Sequence, residues 1–213
     1  MFSKYARYYD LFNQNKPYKK EIEFVYQWAK KPRTIFDIGP GTGNYWKFYP
    51  KKTVLFGVEK SKSMADRANV VEEIVCADIR NFRMESRFDC ATALFDVINY
   101  ISTNDWWKNI PVKKGGYFIF DIWDKEKVNQ DGFIIKAKAN GTSIRIITPI
   151  GYDGKSVRLN ISVFENDLPQ FEEIHQMYVY SHEDILRFCG KEFEVAEVKP
   201  TERWQAWYKL RRK

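Results

Sequence analysis

Cysteine and histidine are scarce in this chain, and long apolar runs are missing. The 213 residues include two histidines and three cysteines, Cys76, Cys90 and Cys189. The cysteines form no CxxC pair, so the sequence predicts reduced thiols and no disulfide or metal framework. No apolar run approaches the roughly 18 residues of a membrane span, and the first residues lack a signal-peptide pattern. We therefore expect a cytoplasmic protein that does not enter membranes.

Apolar and aromatic residues are plentiful by contrast. Hydrophobic residues make up 44% of the chain and aromatic residues 17%. That content can bury a full core, which excludes intrinsic disorder for most of the chain. A chain of 213 residues has the size of one domain with a small insertion.

The net charge of +7 is concentrated at the two ends of the chain. Residues 1–36 hold eight Lys or Arg against three acids, and residues 199–213 hold six against one. The residues between them are mildly acidic. A basic end of this kind can follow nucleic-acid phosphates, or it can be a solvated, frayed terminus. The charge pattern leaves both interpretations open.

Short apolar runs recur between residues 33 and 123. The five runs, together rich in Val, Ile and Phe, are 33–39, 52–59, 72–78, 88–96 and 115–123. Continuous apolar runs are typical of strands covered on both faces, as in a parallel sheet. Amphipathic segments predict helices at 18–31 and at 61–69, the second with Ser61 as its N-cap. The alternation indicates an α/β domain with a doubly wound sheet.

A different pattern occupies residues 132–180, where polar and apolar residues alternate. Asn140-Gly141 and Asp153-Gly154 are strong turn signals within it. We interpret the segment as an antiparallel meander of three or four strands, inserted after the fifth parallel strand.

The last part of the chain is predicted to return to the first sheet. A helix over 181–190 has Ser181 as N-cap, and strands follow at 193–199 and 203–211. The sequence thus divides into a first part that holds most of the sheet, the inserted meander and a closing part, with boundaries at 1–131, 132–180 and 181–213.

The loop after the first strand is the most informative stretch, with the sequence Asp37-Ile38-Gly39-Pro40-Gly41-Thr42-Gly43. Glycine at alternate positions permits a sharp turn and lets backbone lie against a ligand. The dinucleotide-binding loop of dehydrogenases requires G-x-G-x-x-G, and this chain has Asn44 at the sixth position. That difference weakens a dehydrogenase interpretation. Taken alone, the loop is as consistent with a structural turn as with a ligand site.

Candidate ligand-binding residues follow three further strands of the predicted sheet. Glu59 ends the second strand, where a carboxylate can accept hydrogen bonds from both hydroxyls of a ribose. Asp78 follows the third strand and can accept from an adenine amino group. Phe95 and Asp96 follow the fourth. All of them come at carboxyl ends of parallel strands, where open α/β sheets bind ligands.

Residues 33–124 resemble the class I S-adenosylmethionine-dependent methyltransferases. IFDIGPGTGNY is similar to the family's first motif, FGVEKSKSMADRA to its second and CADI to its adenine-side motif. RFDCATALFDVINYI and KKGGYFIFDIW resemble its fourth and fifth strands. The resemblance implies a Rossmann-like methyltransferase fold, with a mostly parallel seven-stranded sheet. Residues 95–98 replace the NPPY-type tetrapeptide of enzymes that methylate base amino groups, which argues against that activity.

A further resemblance extends to both ends of the chain. YARYYDLFNQNKPYKKEIEFV is similar to the lead segment of small-molecule methyltransferases that act on amino sugars of sugar nucleotides. Their YD…KxYxxE pattern is matched by Tyr9, Asp10, Lys16, Tyr18 and Glu21. FEEIHQMYVYSHEDILRFCGKEFEVAEV resembles their C-terminal part, in which a meander caps the acceptor pocket. The implied role of the tyrosines is to fold over the methionine end of the cofactor, and helix packing is the alternative.

The site is then predicted residue by residue, with S-adenosylmethionine as cofactor and S-adenosylhomocysteine as product. The predicted cofactor-binding residues are Tyr9, Tyr18, Asp37, Gly39, Gly41, Gly43, Glu59, Lys60, Met64, Asp78, Ile79, Phe95 and Asp96. The predicted acceptor-binding residues are Asn99, Tyr100, Trp123 and Asp124. His175 is nominated as general base, with a structural role as the alternative, and His182 is assigned to the surface or to a helix cap.

The predicted activity is methyl transfer to nitrogen or oxygen of a small polar acceptor, such as a sugar nucleotide, by in-line displacement. One alternative is an RNA methyltransferase whose basic ends hold phosphates. Another is a cofactor-binding protein without turnover. The free edges of the meander leave both a monomer and a homodimer open.

Overall fold

The computed structural model of the chain describes residues 2–70, 73–102, 105–123, 125, 134–201 and 205–213. Within these residues the chain forms two β-sheets, which we call the large sheet and the small sheet. Its α-helices are α1 (Ala6–Asn13), α2 (Tyr18–Trp28), α3 (Lys62–Ala65) and α4 (His182–Cys189). Short 3₁₀ helices cover Trp46–Phe48, Val97–Tyr100 and Asp105–Asn109. None of the helices in the described ranges is long and apolar enough to cross a membrane.

The large sheet contains seven strands in the order β10-β11-β5-β4-β1-β2-β3 among the described residues. Its strands are β1 (Thr34–Ile38), β2 (Val54–Glu59), β3 (Glu73–Cys76), β4 (Phe88–Ala93), β5 (Val112–Trp123), β10 (Phe193–Pro200) and β11 (Gln205–Arg212). The first five pair in parallel, and β11 pairs antiparallel with both β5 and β10. This confirms the predicted fold class.

Burial on both faces explains the continuous apolar runs. Ile35 and Phe36 are neighbours in β1 and point to opposite faces of the sheet, yet both are buried. Ile35 packs in one cluster with Ile22 and Val25 of α2, and Phe36 packs in the other cluster with Phe118 and further sheet residues. Each such side chain contributes about 1.5–3 kcal/mol on burial. The large sheet is therefore the core on which the rest is built.

Some element boundaries differ from the predicted ones. The helix predicted over 61–69 is only the four-residue α3, because the amides of Arg67 and Ala68 bond three residues back and tighten the end into a turn. Helix α1 contains Tyr9, for which helix packing was the alternative to a role over the cofactor, and β5 begins three residues earlier than expected. In α4 the predicted capping is present, with Ser181 and Asp184 bonded reciprocally.

The small sheet is the predicted meander. Its strands β6 (Ile135–Ala139), β7 (Ser143–Tyr152), β8 (Ser156–Glu165) and β9 (Leu168–Tyr178) pair antiparallel in chain order. Both predicted turns occur, with positive φ at Asn140, Gly141 and Gly154. Apolar residues of β8 and β9 pack against Tyr8 and Phe12, so α1 lies against the small sheet. The three-part division of the chain stays a prediction, since residues 126–133 lie outside the described ranges.

The basic C-terminal end is not a frayed tail. It forms β11, and its cations pair with acids near or in β10: Arg212 with Glu192 at 2.7 Å and Arg211 with Glu194 at 3.7 Å. Lys209 lies 3.8 Å from the Glu197 carboxylate. Much of the positive charge that the sequence places at this end is thus balanced inside the sheet.

Candidate functional site

A cleft opens at the carboxyl ends of β1, β2 and β4. It encloses about 730 Å³, including its open mouth, which is within the size range of small-molecule sites. Its lining combines backbone of the glycine loop, a few charged groups and several aromatic rings. The lining residues are Phe2, Tyr9, Ile38, Gly39, Gly41, Val58, Glu59, Lys60, Met64, Ala77, Asp78, Ile79, Arg80, Leu94, Phe95, Val97, Tyr100 and Ile101.

The glycine loop forms one wall of the cleft with bare backbone. Gly39 has φ of 70°, and a Cβ there would lie 2.8 Å from the methyl carbons of Val97. Gly41 has φ of 61°, with its Cβ position 3.2 Å from Met64 Cε. Gly39 is therefore favoured both for its conformation and for space, and Gly41 for its conformation. Gly43 faces Val70 instead and does not line the cleft.

Glu59 is the central carboxylate of the cleft. It ends β2, and it is 8% exposed. The Gly41 amide donates to its Oε2 at 3.0 Å, and the Ser61 amide donates to its Oε1 at 2.7 Å. Burial raises the pKa of Glu59 despite these bonds. The amides fix the carboxylate in place while leaving lone pairs available to a ligand.

Asp78 follows β3 and also lines the cleft, in an ionic cluster. Arg80 Nε donates to both of its oxygens at 3.0 Å, and Lys60 Nζ lies 3.1 Å from Oδ2. Burial acts to raise the pKa of Asp78, but the bonds from Arg80 and Lys60 lower it overall. The carboxylate is therefore ionised and held in position beside Ile79.

Asp37 lies beneath the loop rather than in the cleft. Trp46 Nε1 donates to its Oδ2 and Thr92 Oγ1 to its Oδ1, each at 2.7 Å. Burial raises the pKa of Asp37 to about 6. The side chain links the first and fourth strands to the loop, so its part in ligand binding is to support the loop.

The N-terminal residues cover the cleft from above. Phe2 and Tyr9 line it, with ring centroids 5.9 Å apart. Tyr18 lies behind them, 4.9 Å from the Tyr45 ring, and its buried hydroxyl has no hydrogen-bond partner among the described residues. Burial raises the pKa of Tyr18 to about 12. Tyr18 is not part of the cleft lining, so its hydroxyl does not face a ligand there.

A second cavity lies on the other side of Phe95, whose ring lines both. The residues around it are Phe12, Asn13, Asn15, Lys16, Pro17, Glu21, Phe95, Asp96, Trp123, Ile135 and Gln205. Phe95 and Asp96 both have positive φ, held by the Asp121 carboxylate, which accepts from their amides at 2.7 and 3.0 Å. Gln205 Nε2 donates to Asp96 Oδ1 at 2.8 Å.

The charge of this second cavity is set by a buried acid pair. Burial raises the pKa of Asp96 and of Asp121. The Asp96 carboxylate raises the pKa of Asp121 further, whereas the hydrogen bonds that Asp96 receives act against the rise of its own pKa. Lys16 opposes the rise for both, and its ammonium also lies 4.5 Å from the centre of the Phe95 ring. The cavity thus offers a carboxylate that would be stabilised by a cation.

His175 is 1% exposed and lies in β9, below the N-terminal residues. Its Nε2 is 2.9 Å from Glu173 Oε1, and its Nδ1 is 3.1 Å from the Tyr100 hydroxyl. Both ring nitrogens are therefore occupied. Asn99 connects the two sheets, since its side chain donates to the Tyr178 carbonyl of β9 at 2.6 Å and accepts from the Trp123 amide of β5 at 3.0 Å.

The structure brings most of the predicted residues together in the cleft. Those in its lining are Tyr9, Gly39, Gly41, Glu59, Lys60, Met64, Asp78, Ile79, Phe95 and Tyr100. Asp96 and Trp123 line the second cavity, together with Phe95. The predicted residues found in neither lining are Tyr18, Asp37, Gly43, Asn99 and His175. Asp124 lies outside the described residues.

Several lining residues escaped the sequence interpretation. Lys16 belongs to the KxYxxE pattern, so that signal could have placed it. No sequence pattern marks Phe2 or Gln205 as a site residue. Each reaches its cavity only because segments that are far apart in the sequence fold together. Among the residues that the structure describes, no group of three or more His, Cys, Asp or Glu could hold a metal ion.

Comparisons with known proteins agree on the fold. No family model and no curated protein matches the chain. Among solved structures, an S-adenosylmethionine-dependent methyltransferase from Clostridium acetobutylicum is 23% identical, with a TM-score of 0.81 over 99% of this chain and 98% of that one. CalS10, a SAM-bound amino pentose methyltransferase from Micromonospora echinaspora, is 18% identical, with a TM-score of 0.82 over 100% and 98%.

A third similar structure is the sugar N-methyltransferase KedS8 from Streptoalloteichus. It is 20% identical, with a TM-score of 0.74 over 96% of this chain and 93% of that one. Because the coverage is nearly complete in both directions, the likeness includes the small sheet as well as the large one. The chain has the fold of the S-adenosylmethionine-dependent methyltransferases over its whole described length.

Proposed function

We propose that this protein is an S-adenosylmethionine-dependent methyltransferase. The observation that carries the proposal is the Glu59 carboxylate, held by the amides of Gly41 and Ser61 at the edge of a glycine-walled cleft. A fixed carboxylate acceptor beside bare backbone suits the ribose of a nucleoside. The shared fold supports the same conclusion, since such a cleft lies at the ligand-binding edge of the sheet.

The residues present fit this cofactor. Glu59 would hold the ribose hydroxyls, and Asp78 with Ile79 would hold the adenine. Gly39 and Gly41 supply a wall that any side chain would fill. Phe2 and Tyr9, which both line the cleft, would cover the methionine part.

When bound, S-adenosylmethionine supplies a methyl group already activated by its sulfonium charge. The chain then has to hold the acceptor in line, exclude water and let a proton leave. Phe2 and Tyr9 cover the cleft and exclude water from it. Phe95 separates the cleft from the second cavity, so an acceptor in that cavity would be directly beside the cofactor.

The acceptor that this second cavity fits best is an amine on a small polar molecule. Its Asp96 carboxylate is buried beside Asp121, and an ammonium ion would compensate that charge. Phe12 and Trp123 offer apolar faces for a ring, such as an amino sugar. Asp96 would therefore bind the acceptor, whereas the sequence predicted that it binds the cofactor. An amine needs only to lose its ammonium proton, so a dedicated base is not required.

The RNA methyltransferase alternative has less support. The cations of β11 that would follow phosphates are paired with Glu192, Glu194 and Glu197. Activity on RNA would also fall steeply with added salt, because bound counterions are released on binding. A small-molecule acceptor predicts a weak dependence on salt, and the two hypotheses can be separated on that basis.

Calorimetric titration with S-adenosylmethionine, S-adenosylhomocysteine and NAD tests the cofactor. We expect micromolar binding of the first two and none of NAD. Glu59→Gln should weaken binding roughly 10- to 100-fold, because it removes a charge-assisted bond. Glu73→Gln, on the neighbouring strand and exposed, is the matched control and should bind like the wild type. Binding of NAD, or of no nucleoside at all, would contradict the proposal.

An acceptor screen with mass detection of one added methyl group tests the reaction. Amino-sugar nucleotides would be compared with the same compounds carrying hydroxyl in place of amine. We expect turnover of the amines, and Asp96→Asn should raise KM for them by about tenfold or more. Cofactor binding without turnover on any acceptor would favour the binding-protein alternative. Preference for the hydroxyl compounds would contradict the assignment of an amine.

A further inference from the structure

A single carboxylate, Glu173 of β9, holds the N-terminal residues 2–5 against the small sheet. The amides of Ser3, Lys4 and Tyr5 donate to it at 3.2, 2.9 and 3.2 Å, and the Ser3 hydroxyl donates at 3.2 Å. Three successive amides on one carboxylate fix the path of the backbone. Phe2, which lines the cleft, is thereby placed with its ring 5.4 Å from the Tyr100 ring.

The same carboxylate also sets the state of His175. The two side chains are two residues apart in a strand, so they share a face of the small sheet. Bonds from His175 and the Tyr5 and Lys4 amides lower the pKa of Glu173 to about 2, although burial opposes this. An ionised carboxylate can only accept, so His175 Nε2 must carry a hydrogen.

The hydrogen on Nε2 determines how Tyr100 is oriented. Burial lowers the pKa of His175, which keeps the ring neutral, so its Nδ1 is an acceptor. The Tyr100 hydroxyl, 3.1 Å away, must then donate its one hydrogen to Nδ1. Toward the cleft, which Tyr100 lines, the hydroxyl can therefore only accept a hydrogen bond.

We propose that Glu173 is a positioning residue for the cleft, which acts in two directions. It holds residues 2–5 as a cover, and through His175 it orients the Tyr100 hydroxyl as an acceptor for an N–H, O–H or polarised C–H group of the ligand. Only the identity of that ligand rests on the proposed function. His175 itself acts through Tyr100 and touches no ligand, which revises its nomination as a general base.

Nitrogen NMR of the histidine rings tests the proposal without any ligand. The chain has two histidines, and His182→Asn leaves the signal of His175 alone. We expect a neutral ring with hydrogen on Nε2 in the wild type and in Tyr100→Phe. In Glu173→Gln the preference for this tautomer should be lost, while in Glu172→Gln, on the exposed face of the same strand, it should persist. A Glu173→Gln spectrum identical to that of the wild type would overturn the proposal.

Calorimetry with S-adenosylhomocysteine tests the effect on the cleft. We expect Glu173→Gln to weaken binding about tenfold or more and Glu172→Gln to change it less than twofold. If Glu173 acts partly through Tyr100, the loss in the double variant Glu173→Gln/Tyr100→Phe is smaller than the product of the two single losses. Strictly multiplicative losses would remove that part of the proposal.

The two experiments separate two kinds of failure. A wild type that binds neither S-adenosylmethionine nor S-adenosylhomocysteine refutes the proposed function, while the NMR result still decides whether Glu173 sets the tautomer. A wild type that binds both, with a Glu173→Gln variant that is folded by circular dichroism and binds equally well, refutes the positioning role alone.

Discussion

Glu59 of the large sheet and Glu173 of the small sheet do similar work in different surroundings. Each accepts hydrogen bonds from backbone amides and so fixes a loop at the cleft. Burial raises the pKa of Glu59, whereas the bonds to Glu173 lower its pKa to about 2. We propose that the first carboxylate binds the ligand, whereas the second is engaged with residues 3–5 and His175 within the protein.

The largest expected difference between the two sheets is the stability lost when a glycine in a loop of each is replaced by alanine. Gly39→Ala in the large sheet's loop adds strain at φ of 70° and places a Cβ 2.8 Å from Val97, so we expect a loss of about 2–4 kcal/mol in the free energy of unfolding. Gly141→Ala in the small sheet has φ of 71° but open space, and should lose only about 1 kcal/mol. Urea unfolding measures both. Equal losses would mean that the contact with Val97 has no energetic weight.

Asp37 should make the large sheet's stability depend on pH. Its pKa is about 6 in the fold against 3.8 as the ordinary value, so the folded state keeps a proton that the unfolded state loses first. The contribution of Asp37 to stability is therefore fully present below about pH 4 and is lost as the pH rises to about 6, by on the order of 3 kcal/mol. Asp37→Asn should reduce that slope in urea unfolding at several pH values. It should not abolish it, because burial raises the pKa of Glu59 as well. An unchanged slope would contradict the assignment.

Glu173 should give the small sheet the opposite dependence. Its pKa of about 2 is below the ordinary 4.5, so its contribution is present above pH 4.5 and is lost as the pH falls toward 2. In Glu173→Gln, stability should change less over that range than in the wild type. Glu172→Gln is the control, since it should keep the wild-type profile. Thermal unfolding at graded pH provides the measurement, and identical profiles for both variants would contradict the role of Glu173.

The smallest effect is expected at the exposed ion pairs of β10 and β11. Arg211 and Glu194 are 3.7 Å apart and each is 55% exposed, so Arg211→Gln should change the free energy of unfolding by less than about 0.5 kcal/mol. Cofactor affinity should not change, because the pair is remote from the residues that line the cleft. A large loss of cofactor affinity would indicate that the basic C-terminal end is part of the site.

The sequence was sufficient for most of the large sheet and its cleft. Continuous apolar runs predicted β1 to β5, and the loop from Asp37 to Gly43 with Glu59 placed the cleft at the correct edge. Those signals are local, because a strand and the loop that follows it are adjacent in the chain. Element ends were less accurate: α3 is shorter than predicted, since its last amides form a tight turn that no residue type announces.

The second cavity shows why the remaining site residues escaped prediction. Asp96 was assigned to the cofactor by its place after the fourth strand, yet its side chain lies beyond Phe95 and bonds to Gln205. Phe95 and Asp96 both have a left-handed backbone conformation, which directs the Asp96 side chain toward the second cavity. The Asp121 carboxylate holds that conformation by accepting from both amides. No pattern at positions 95 and 96 encodes the contribution of a strand 25 residues later.

The sequence by itself therefore determined the strands of the large sheet and the position of the glycine-walled cleft, since continuous apolar runs and glycine spacing act over neighbouring residues. Only the tertiary structure decided which side chains face which cavity and which groups contact His175. Glu173 meets Ser3, Lys4 and Tyr5 across almost the whole chain. Such contacts form because the small sheet and α1 pack over the edge of the large sheet, and their hydrogen bonds, unlike a strand's hydrophobic pattern, leave no periodic trace in the sequence.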